Sequence, residues 1–348
     1  MSWRWSELES TRFNLDIYRF EADAVSEPLL SAISECNADL VILRVPVSEL
    51  KNVHLLRALG AHPLVADTLV YYTYDCSQAV PSPASSRRVE IRTATAGDME
   101  SVRSLCTEIF RDYENHYASN PLLGSDVVSQ AYSEWATDYV AQDEDNGRQC
   151  WVATVKNRIV ALATTRLEQD SCEIVLNGVS KSLEGQGIYR TLVAHVQAHA
   201  RSLGCTTIFS STQIGNLAPQ RVWAHQGFFL TKAVNTVHLN LLMSTRYASE
   251  RGVRELRASG GQAEATRALH AQVHVMVAEA QFPSDGGAPR HLEFFTAATA
   301  QPGETYQMRS FVHSVPAQPE HQILTVDARS SGGTLIACGR SFPAGLFV

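Results

Sequence analysis

The sequence predicts an α+β protein in which a mixed, mostly antiparallel sheet with flanking helices is followed by a small antiparallel β-rich domain. Alternating apolar residues mark short strands through residues 89–243, and two helical patterns separate the last three strands of that segment. Three further alternating runs follow residue 304, with Pro or Gly in the turns between them. With 348 residues, the chain is long enough for two or three domains that each bury a core.

Two segments of distinct composition divide the chain. Residues 76–88, CSQAVPSPASSRR, combine Pro, Ser and Ala without periodicity, which predicts a linker at 81–88. A second predicted linker, at 244–261, is polar and rich in Gly. We therefore expect domains at 1–80, 89–243 and 262–348.

The first predicted domain repeats, in shortened form, part of the order found in the second. Residues 39–44 are predicted to form a strand and residues 48–59 a helix that ends before Gly60. The alternating strand after Gly60 can be aligned with the one after Gly227. The pattern favours a degenerate copy of the central domain without its glycine loop, and a chance match over a short stretch is the alternative.

The central domain has a regular order of elements. A strand at 90–92 precedes a helix whose N-cap we place near Thr95, with apolar residues at helical spacing from Met99 to Phe110. Further strands are predicted at 150–155, 159–166, 173–179, 206–211 and 234–242, and helices at 189–203 and 218–225. The order after residue 173 is therefore strand, helix, strand, helix, strand.

A loop with two glycines, Glu184-Gly-Gln-Gly-Ile-Tyr189, joins the strand 173–179 to the helix that follows. Glycine lets the backbone approach a ligand closely, and the free N–H groups of a helix N-terminus bind anions, so the loop is a candidate phosphate site. The GxGxxG pattern is absent because Arg190 stands at its last position, and no GK[ST] follows. The alternative is a tight turn in which the glycines serve packing alone.

This loop and the stretch 216–228, NLAPQRVWAHQGF, resemble two signatures of the GNAT superfamily of N-acyltransferases, [RQ]-x-x-G-x-[GA] and N-x-x-A-x-x-L-Y-x-x-x-G-F. The resemblance implies a GNAT fold and an acyl-CoA donor, with its pyrophosphate on the loop amides and its pantetheine arm along the backbone of Val179. The residues so assigned to donor binding are Val179, Glu184, Gly185, Gln186, Gly187, Ile188, Tyr189 and Asn216.

Three positions depart from these signatures. Glu184 stands where Arg or Gln is usual, and Tyr189 where a small residue is usual. Trp223 replaces the Tyr that protonates the leaving thiolate in many family members, and an indole cannot serve as that acid near neutral pH. Another group or solvent must then supply the proton.

The resemblance also implies a general base. Glu173 lies six residues before Val179 on one predicted strand, so their side chains share a face if the strand contains no bulge. Glu173 resembles the base glutamate on the fourth strand of the histone-acetyltransferase branch, where a carboxylate takes a proton from the acceptor amine. The alternative is an exposed strand glutamate without a catalytic role.

Residues 108–122, EIFRDYENHYASNPL, carry an aromatic and polar cluster where the GNAT fold places its acceptor-binding loop. His116 is a second candidate base within it. The alternative is half-buried packing of the tyrosines beside a solvated His116. The residues assigned to the acceptor are Tyr113, Tyr117, Asn120, Asn177 and Trp223.

The flanking segments resemble further families. Residues 1–80 are similar to the degenerate half of amino-sugar acetyltransferases of the dTDP-fucosamine acetyltransferase type. Residues 262–348 weakly resemble the sheet of hotdog thioesterases and dehydratases, which suggests a binding or dimerising domain. His270 and His274 have the spacing of a helical metal pair, but no HExxH or nearby carboxylate accompanies them, so we expect no metal.

Composition limits the partners and the compartment. Lys and Arg total 29 against 36 Asp and Glu, without a basic run, which argues against nucleic acid or a membrane surface. No apolar run reaches the roughly 20 residues of a membrane helix and no signal peptide is recognisable, so we expect a cytoplasmic protein. The seven cysteines are scattered without a CxxC pair, which predicts reduced, mostly buried thiols.

The sequence thus predicts an N-acyltransferase that joins an acyl thioester to the amine of a small molecule, such as an amino sugar or a natural-product intermediate, by direct attack. One alternative donor is the phosphopantetheine thioester of an acyl-carrier protein, which Glu184 and Trp223 motivate. Another hypothesis is a non-catalytic acyl-CoA-binding or scaffold protein. Each of these three hypotheses is compatible with a homodimer.

Overall fold

The computed structural model describes residues 1–79, 89–111, 113, 115–123, 125–140, 147–244, 246–279, 290–296, 298–315 and 318–343. They divide into two units. The terminal unit consists of Met1–Ala66, His116–Gly124 and Asn235–Val348, and the central unit of Asp67–Asn115 and Ser125–Val234. The predicted linker 81–88 lies outside the described residues.

The N-terminal part of the terminal unit holds more regular structure than the sequence predicted. Its elements are β1 (Ser2–Trp5), α1 (Glu7–Phe13), β2 (Ile17–Glu21), α2 (Glu27–Glu35), β3 (Leu40–Pro46) and a 3₁₀ stretch at Val47–Leu59. The predicted helix at 48–59 is therefore a 3₁₀ helix. Its buried residues Val53 and Leu56 are three positions apart, which is one 3₁₀ turn.

The central unit contains the elements that the sequence predicted for residues 89–243, together with β4 and with an additional helix, α4, that the sequence analysis did not predict. They are β4 (Pro63–Asp75), β5 (Glu90–Thr93), α3 (Met99–Phe110), α4 (Ser125–Val140), β6 (Arg148–Val155), β7 (Arg158–Glu168), β8 (Ser171–Val179), α5 (Ile188–Ser202), β9 (Thr207–Gln213), α6 (Leu217–His225) and β10 (Phe229–Asn240). Thr95 and Asp98 form a capping box, after which a short 3₁₀ turn leads into α3.

The strands of the central unit form a mixed, mostly antiparallel sheet in the order β10-β4-β9-β8-β7-β6-β5. Only the pair β8–β9 is parallel among the neighbours from β4 to β5, and the other pairs are antiparallel. The predicted α+β fold class is thus confirmed. β10 begins in the central unit and ends in the terminal unit, where the sheet order is β1-β2-β3-β10.

Helices cover both faces of the central sheet. Trp151 and Ala153 of β6 lie in one core cluster with Leu192 of α5, whereas the intervening Val152 lies in a second cluster with Leu105 of α3. Because successive strand residues point to opposite faces, α5 and α3 flank the sheet from opposite sides. Side chains on either face of this sheet can therefore contribute to a functional site.

The C-terminal part of the terminal unit is a helix on an antiparallel sheet. Its elements are β11 (Ala248–Arg257), α7 (Gln262–Glu279), β12 (Arg290–Thr296), β13 (Thr305–Val315), β14 (Gln318–Ser330) and β15 (Leu335–Pro343), in the sheet order β11-β13-β14-β15-β12. The three predicted strands are present as β13, β14 and β15. Leu269, Val273 and Val277 of α7 pack in its core.

The predicted linker 244–261 contains a strand, β11, instead of irregular chain. Its polar composition fits its position at the edge of the sheet, where most of its side chains are exposed and its hydrogen bonds come from β13 alone.

Six of the seven free cysteines are buried, and Cys36 is half-buried. Among the described helices, none is long and apolar enough to span a membrane.

Candidate active site

The parallel strands β8 and β9 separate part of the way along their length. They pair from Ser171–Thr207 to Ile174–Ser210, and the hydroxyl of Ser210 donates to the carbonyl of Ile174 at 2.8 Å where the pairing ends. Residues 147–244 are all described, and within them β8 and β9 make no further pairing although both strands continue. The separation leaves a wedge-shaped opening with unpaired backbone on both sides.

A β-bulge in β8 lies at the start of this opening. Thr164 and Thr165 of β7 face Leu176 and Ile174, so Val175 is an extra residue without a partner in the register. Ile174 packs in the core cluster on the α5 side, but Leu176, two residues later, packs in the cluster on the α3 side. The bulge therefore reverses which face the following side chains occupy.

This reversal corrects the expectation that Glu173 and Val179 share a face. Glu173 precedes the bulge and points to the α3 side, because its neighbour Ile174 points to the α5 side. Val179 follows the bulge and packs against the cluster on the α5 side. The predicted parity required a strand without a bulge, and that condition is not met.

Glu173 is held in an ion pair. Nη2 of Arg166 donates to Oε2 of Glu173 at 2.6 Å, and the same guanidinium approaches Glu168 at 2.9 Å. The Glu173 side chain is 19% exposed. A carboxylate that accepts from a guanidinium is less available to take a proton, so Glu173 would have to release this contact to act as a base.

The backbone of Val179 faces the opening. The amide of Ser180 donates to the carbonyl of Val160 on β7 at 2.8 Å. Backbone groups of successive strand residues point to opposite neighbours, so the N–H and C=O of Val179 point away from β7, toward the space between β8 and β9. This orientation is compatible with the backbone role that the resemblance implies for Val179.

The glycine loop ends at an uncapped helix. Gly185 and Gly187 have φ angles of +73° and +78°, which favour glycine, and α5 begins at Ile188 without a side-chain cap on its first amides. A methyl group added at Gly185 would meet no atom within 4 Å, so the loop is open to a ligand. Free amides beside open space form a suitable anion site.

The side chains of the loop fit an acyl-CoA thioester. Oε1 of Gln186 is a buried acceptor without a hydrogen-bond partner among the described residues, and the amide and amine groups of CoA are donors. The Glu184 side chain is exposed, which keeps its carboxylate in solvent. Ile188 is buried in the core, so only its amide can contact a ligand.

Tyr189, Trp223 and Asn177 form a hydrogen-bonded chain in which Trp223 is buried and the other two side chains are half-buried. Nε1 of Trp223 donates to the Tyr189 hydroxyl at 2.8 Å, and that hydroxyl donates to Oδ1 of Asn177 at 2.6 Å. Burial raises the pKa of Tyr189 above its usual value, and the hydrogen bond from Trp223 opposes this only in part. Trp223 is 1% exposed, so its predicted role in acceptor binding would require the core to open.

Tyr113 and Asn216 meet at the far end of β9. The Tyr113 hydroxyl donates to Oε1 of Gln213, and Nδ2 of Asn216 donates to the hydroxyl of Thr212 at 2.9 Å. Asn216 precedes α6 but does not cap it, because its side chain is turned toward β9. Burial raises the pKa of Tyr113. These polar groups lie on the β9 side of the opening.

The sequence analysis missed a carboxylate beside the opening. Oε1 of Glu108, on α3, accepts from the hydroxyl of Ser180 at 2.6 Å and from the amide of Lys181 at 3.1 Å. Ser180 directly follows Val179. Glu108 stands about 70 residues from these partners in the sequence, and no local pattern distinguishes it from other helix-surface glutamates.

His116 and Asn120 belong to the terminal unit. Nδ2 of Asn120 donates to Nδ1 of His238 at 3.0 Å, so Nε2 of His238 carries the proton and donates to Nδ1 of His116 at 2.9 Å. Burial lowers the pKa of His238 to about 3 and that of His116 well below its usual range. Both imidazoles are neutral near pH 7, and His116 is buried rather than solvated.

Tyr117 belongs to the same unit and to an adjoining ion pair. Nη2 of Arg19 donates to the Tyr117 hydroxyl at 2.8 Å and to Oε1 of Glu9 at 2.6 Å, and Tyr117 itself donates to Glu9. These contacts fix residues 116–120 inside the terminal unit. The predicted site residues therefore belong to two different units: a group around the opening in the central unit, and His116, Tyr117 and Asn120 in the terminal unit.

No set of three or more His, Cys, Asp and Glu side chains suited to a metal ion occurs in the part of the chain that the structure describes. His270 and His274 lie on α7 with ring centroids 4.8 Å apart, and His274 stacks on Phe294 at 3.4 Å. Their role there is ring packing.

Comparisons with known proteins bear on residues 107–228, which match the model of the acetyltransferase (GNAT) family. No curated protein sequence matches the chain. Among solved structures, a GCN5-related N-acetyltransferase from Sphaerobacter thermophilus is 16% identical with a TM-score of 0.45, over 58% of this chain and 60% of that one. The chain thus spans less than two thirds of that protein.

Two further structures are similar at the same level. A GCN5-related N-acetyltransferase from Kribbella flavida is 14% identical with a TM-score of 0.43, over 64% of this chain and 80% of that one. The PaiA N-acetyltransferase from Thermoplasma acidophilum, solved in complex with coenzyme A, is 11% identical with a TM-score of 0.37, over 43% of this chain and 98% of that one.

Proposed function

We propose that this protein, whose residues 107–228 match the model of the acetyltransferase (GNAT) family, transfers an acyl group from acyl-CoA to the amine of a small molecule. The central unit is in this sense an acyltransferase. An amino sugar or an amine intermediate of a natural product is the acceptor class that we propose, in keeping with the polar and aromatic side chain of Tyr113 beside the opening.

One observation carries the proposal: the opening between β8 and β9 leads to the uncapped N-terminus of α5 at Gly187. An extended pantetheine arm needs backbone partners, and Val179 presents its N–H and C=O to the opening. A pyrophosphate needs clustered donors, and the amides of residues 185–188 supply them. CoA would provide the thioester that the amine attacks.

The residues of the central unit then have separate tasks. Amides near Val179 orient and polarise the thioester carbonyl, and the loop amides fix the donor at its other end. The amine that attacks must lose a proton, and a carboxylate near Val179 can accept it. Trp223 cannot protonate the leaving thiolate, and the Tyr189 hydroxyl keeps its own proton at neutral pH, so we assign that protonation to solvent.

Two carboxylates are candidates for the base. Glu173 follows from the resemblance, but it is bound to Arg166 and lies in the part of β8 that is still paired with β9. Glu108 is supported by its contacts with Ser180 and Lys181, which place a half-buried carboxylate next to Val179. His116 lies in the terminal unit with Nδ1 occupied by His238, so the proposal rests on the two glutamates.

Three substitutions distinguish the two candidate bases: Glu173→Gln, Glu108→Gln and Glu168→Gln. Loss of the general base lowers kcat by about 10²–10⁴-fold and removes the acidic limb of the pH profile of kcat/KM. Glu168→Gln is the matched control, because it breaks a similar contact with Arg166 while leaving both candidates in place. If Glu173→Gln and Glu108→Gln both retain the wild-type pH profile, neither glutamate is the base.

The donor can be tested separately from the base. The alternative donor is the thioester of an acyl-carrier protein, and the alternative to catalysis is a protein that only binds acyl-CoA. Transfer to a panel of amines from acyl-CoA and from the matching carrier thioester, followed by mass spectrometry, separates these cases. Turnover with acyl-CoA supports the proposal. Turnover with the carrier thioester alone would mean that the donor is an acyl-carrier protein and not CoA. Binding of acyl-CoA without acylation of any amine favours the non-catalytic alternative.

A further inference from the structure

A cavity of about 150 Å³ lies on the β1-β2-β3 part of the terminal unit, outside the site described above. It is lined by residues of all three strands: Ser2, Trp3, Arg4, Arg19, Phe20, Glu21, Ile42 and Arg44. Three of these eight residues are arginines, although the whole chain has a formal net charge of −7. The local charge is therefore opposite in sign to that of the protein.

Strand register shows which side chains share this face. Arg4 pairs with Arg19, which pairs with Ile42, and these three form one row across the strands. The next row on the same face consists of Ser2, Glu21 and Arg44. Phe20 belongs to the opposite face, where it packs in the core, so it and Trp3 contribute mainly backbone to the cavity.

The three arginines differ in how their charges are balanced. Arg19 is satisfied internally, because Nε and Nη2 both donate to Glu9 at 2.6 Å. Among the described residues, the one carboxylate that Arg44 approaches is that of Glu21, 3.8 Å from Nη1 on a side chain that is 64% exposed. Arg4 has no ion pair within the described residues, and it stands directly opposite Arg19, an arrangement of like charges that destabilises a sheet.

One nitrogen of Arg44, Nε, lacks a hydrogen-bond acceptor within the described part of the chain. This atom is buried, and it has no hydrogen-bond partner among the described residues. A buried donor without an acceptor costs about 1–3 kcal/mol. The Arg44 side chain as a whole is 28% exposed and lines the cavity, so its outer guanidinium nitrogens are the donors that can reach an oxyanion there.

We infer that the β1-β2-β3 cavity is a binding site for a small oxyanion, a carboxylate or a phosphate, held by Arg44 and Arg4. The volume equals that of about five waters at ~30 Å³ each, so it accepts one such group with a short substituent. Ile42 supplies an apolar wall for that substituent. The site neither requires nor tests acyl transfer, because all of its residues belong to the terminal unit.

Titration calorimetry with inorganic phosphate and with propionate, at ionic strength held constant with chloride, tests this inference. We expect saturable binding of at least one of the two anions, and the arm that binds more tightly identifies the oxyanion. Arg44→Gln and Arg4→Gln should each weaken binding at least about tenfold, which corresponds to ~1.4 kcal/mol. Arg4 is exposed, so its variant is expected to fold even if Arg44→Gln does not.

Glu21→Gln should change the affinity for the anion in the opposite direction. Its carboxylate competes with the ligand for Arg44, so its removal should tighten anion binding, a result that mere damage to the fold would not produce. Arg57→Gln, an exposed arginine of the same unit that does not line the cavity, is the matched control and should leave affinity unchanged. Phosphate binding that persists in both Arg44→Gln and Arg4→Gln would belong to another site, such as the α5 loop, and would overturn the inference. Absence of binding by either anion would overturn it as well.

Discussion

At the scale of single residues, the indole of Trp223 explains the environment of Tyr189. Indole Nε1 can only donate a hydrogen bond, so the Tyr189 oxygen accepts it and the hydroxyl proton must go to another acceptor, Oδ1 of Asn177. The polar groups of the buried Trp223 and of the half-buried Tyr189 and Asn177 thereby all have partners. A large aromatic residue at 189 and a Trp at 223, both unusual in GNAT signatures, are thus complementary to each other.

Tyr189→Phe should lower the free energy of unfolding. The substitution leaves Nε1 of Trp223 and Oδ1 of Asn177 without a partner, and each unsatisfied buried group costs about 1–3 kcal/mol. Urea denaturation measures the change. Tyr72→Phe is the control, because the Tyr72 hydroxyl makes a single, longer bond of 3.3 Å to Gln220 and should cost less. Equal stability of the two variants would contradict the role assigned to the buried chain.

At the scale of elements, the two ends of α5 offer a matched comparison. Gly185, before its N-terminus, and Gly204, after its C-terminus, have φ angles of +73° and +82°, and an added methyl group meets no atom within 4 Å at either position. Alanine therefore strains the backbone similarly at both ends. Only Gly185 belongs to the loop that we assign to the pyrophosphate.

We expect Gly185→Ala and Gly204→Ala to destabilise the protein to a similar extent, by about 1 kcal/mol each. Gly185→Ala should in addition raise KM for acyl-CoA about tenfold or more, because the loop amides lose their alignment, whereas Gly204→Ala should leave KM unchanged. Thermal unfolding and initial-rate kinetics measure the two effects. A KM that changes equally in both variants would mean that the loop does not hold the donor.

The elements also show what could be predicted from the sequence. The order of strands and helices from β5 to β10 was predictable because local alternation and helical spacing, with glycines at the helix ends, encode it. The bulge at Val175 was not, since β8 alternates regularly in sequence and the extra residue is defined only by the register with β7. The side chain of Glu173 was therefore expected on the wrong face of the sheet, the face that Val179 occupies.

Contacts between distant segments account for the other differences. Arg19 lies 98 residues before Tyr117, so a local reading of residues 108–122 could not show that Tyr117 is fixed by a buried ion pair. Glu108 was overlooked for the same reason, because Ser180 and Lys181 define its surroundings. β11 was expected as a linker because an edge strand with exposed side chains has a polar composition.

At the scale of the whole molecule, buried titratable groups of the terminal unit set the dependence of stability on pH. Burial lowers the pKa of His238 to about 3 and of His313 to about 4, and that of His116 well below its usual value. These imidazoles are neutral when folded but protonated when unfolded below pH ~6.5, so stability is lost as the pH falls below that value. Burial raises the pKa of Asp39 to about 7, which acts oppositely, with stability lost as the pH rises toward 7.

The histidines outnumber the carboxyl group, so the protein should become less stable on acidification from pH 6.5 to 5. Near pH 5 the unfolded chain binds about two more protons at these four sites than the folded chain, which corresponds to roughly 2–3 kcal/mol per pH unit, and near pH 6.5 the difference is about one proton or less. Denaturant unfolding across this range measures the slope. His238→Gln should reduce it by about one proton, whereas His54→Gln, on an exposed side chain, should not alter it. An unchanged slope in His238→Gln would refute the assignment.

The account as a whole depends on acyl transfer in the opening between β8 and β9. The most direct test is the release of free thiol from acyl-CoA, followed with and without each member of a broad panel of amines. We predict release that depends on an amine and that saturates with acyl-CoA. Saturable binding of acyl-CoA with no amine-dependent release from any member of the panel would contradict the account.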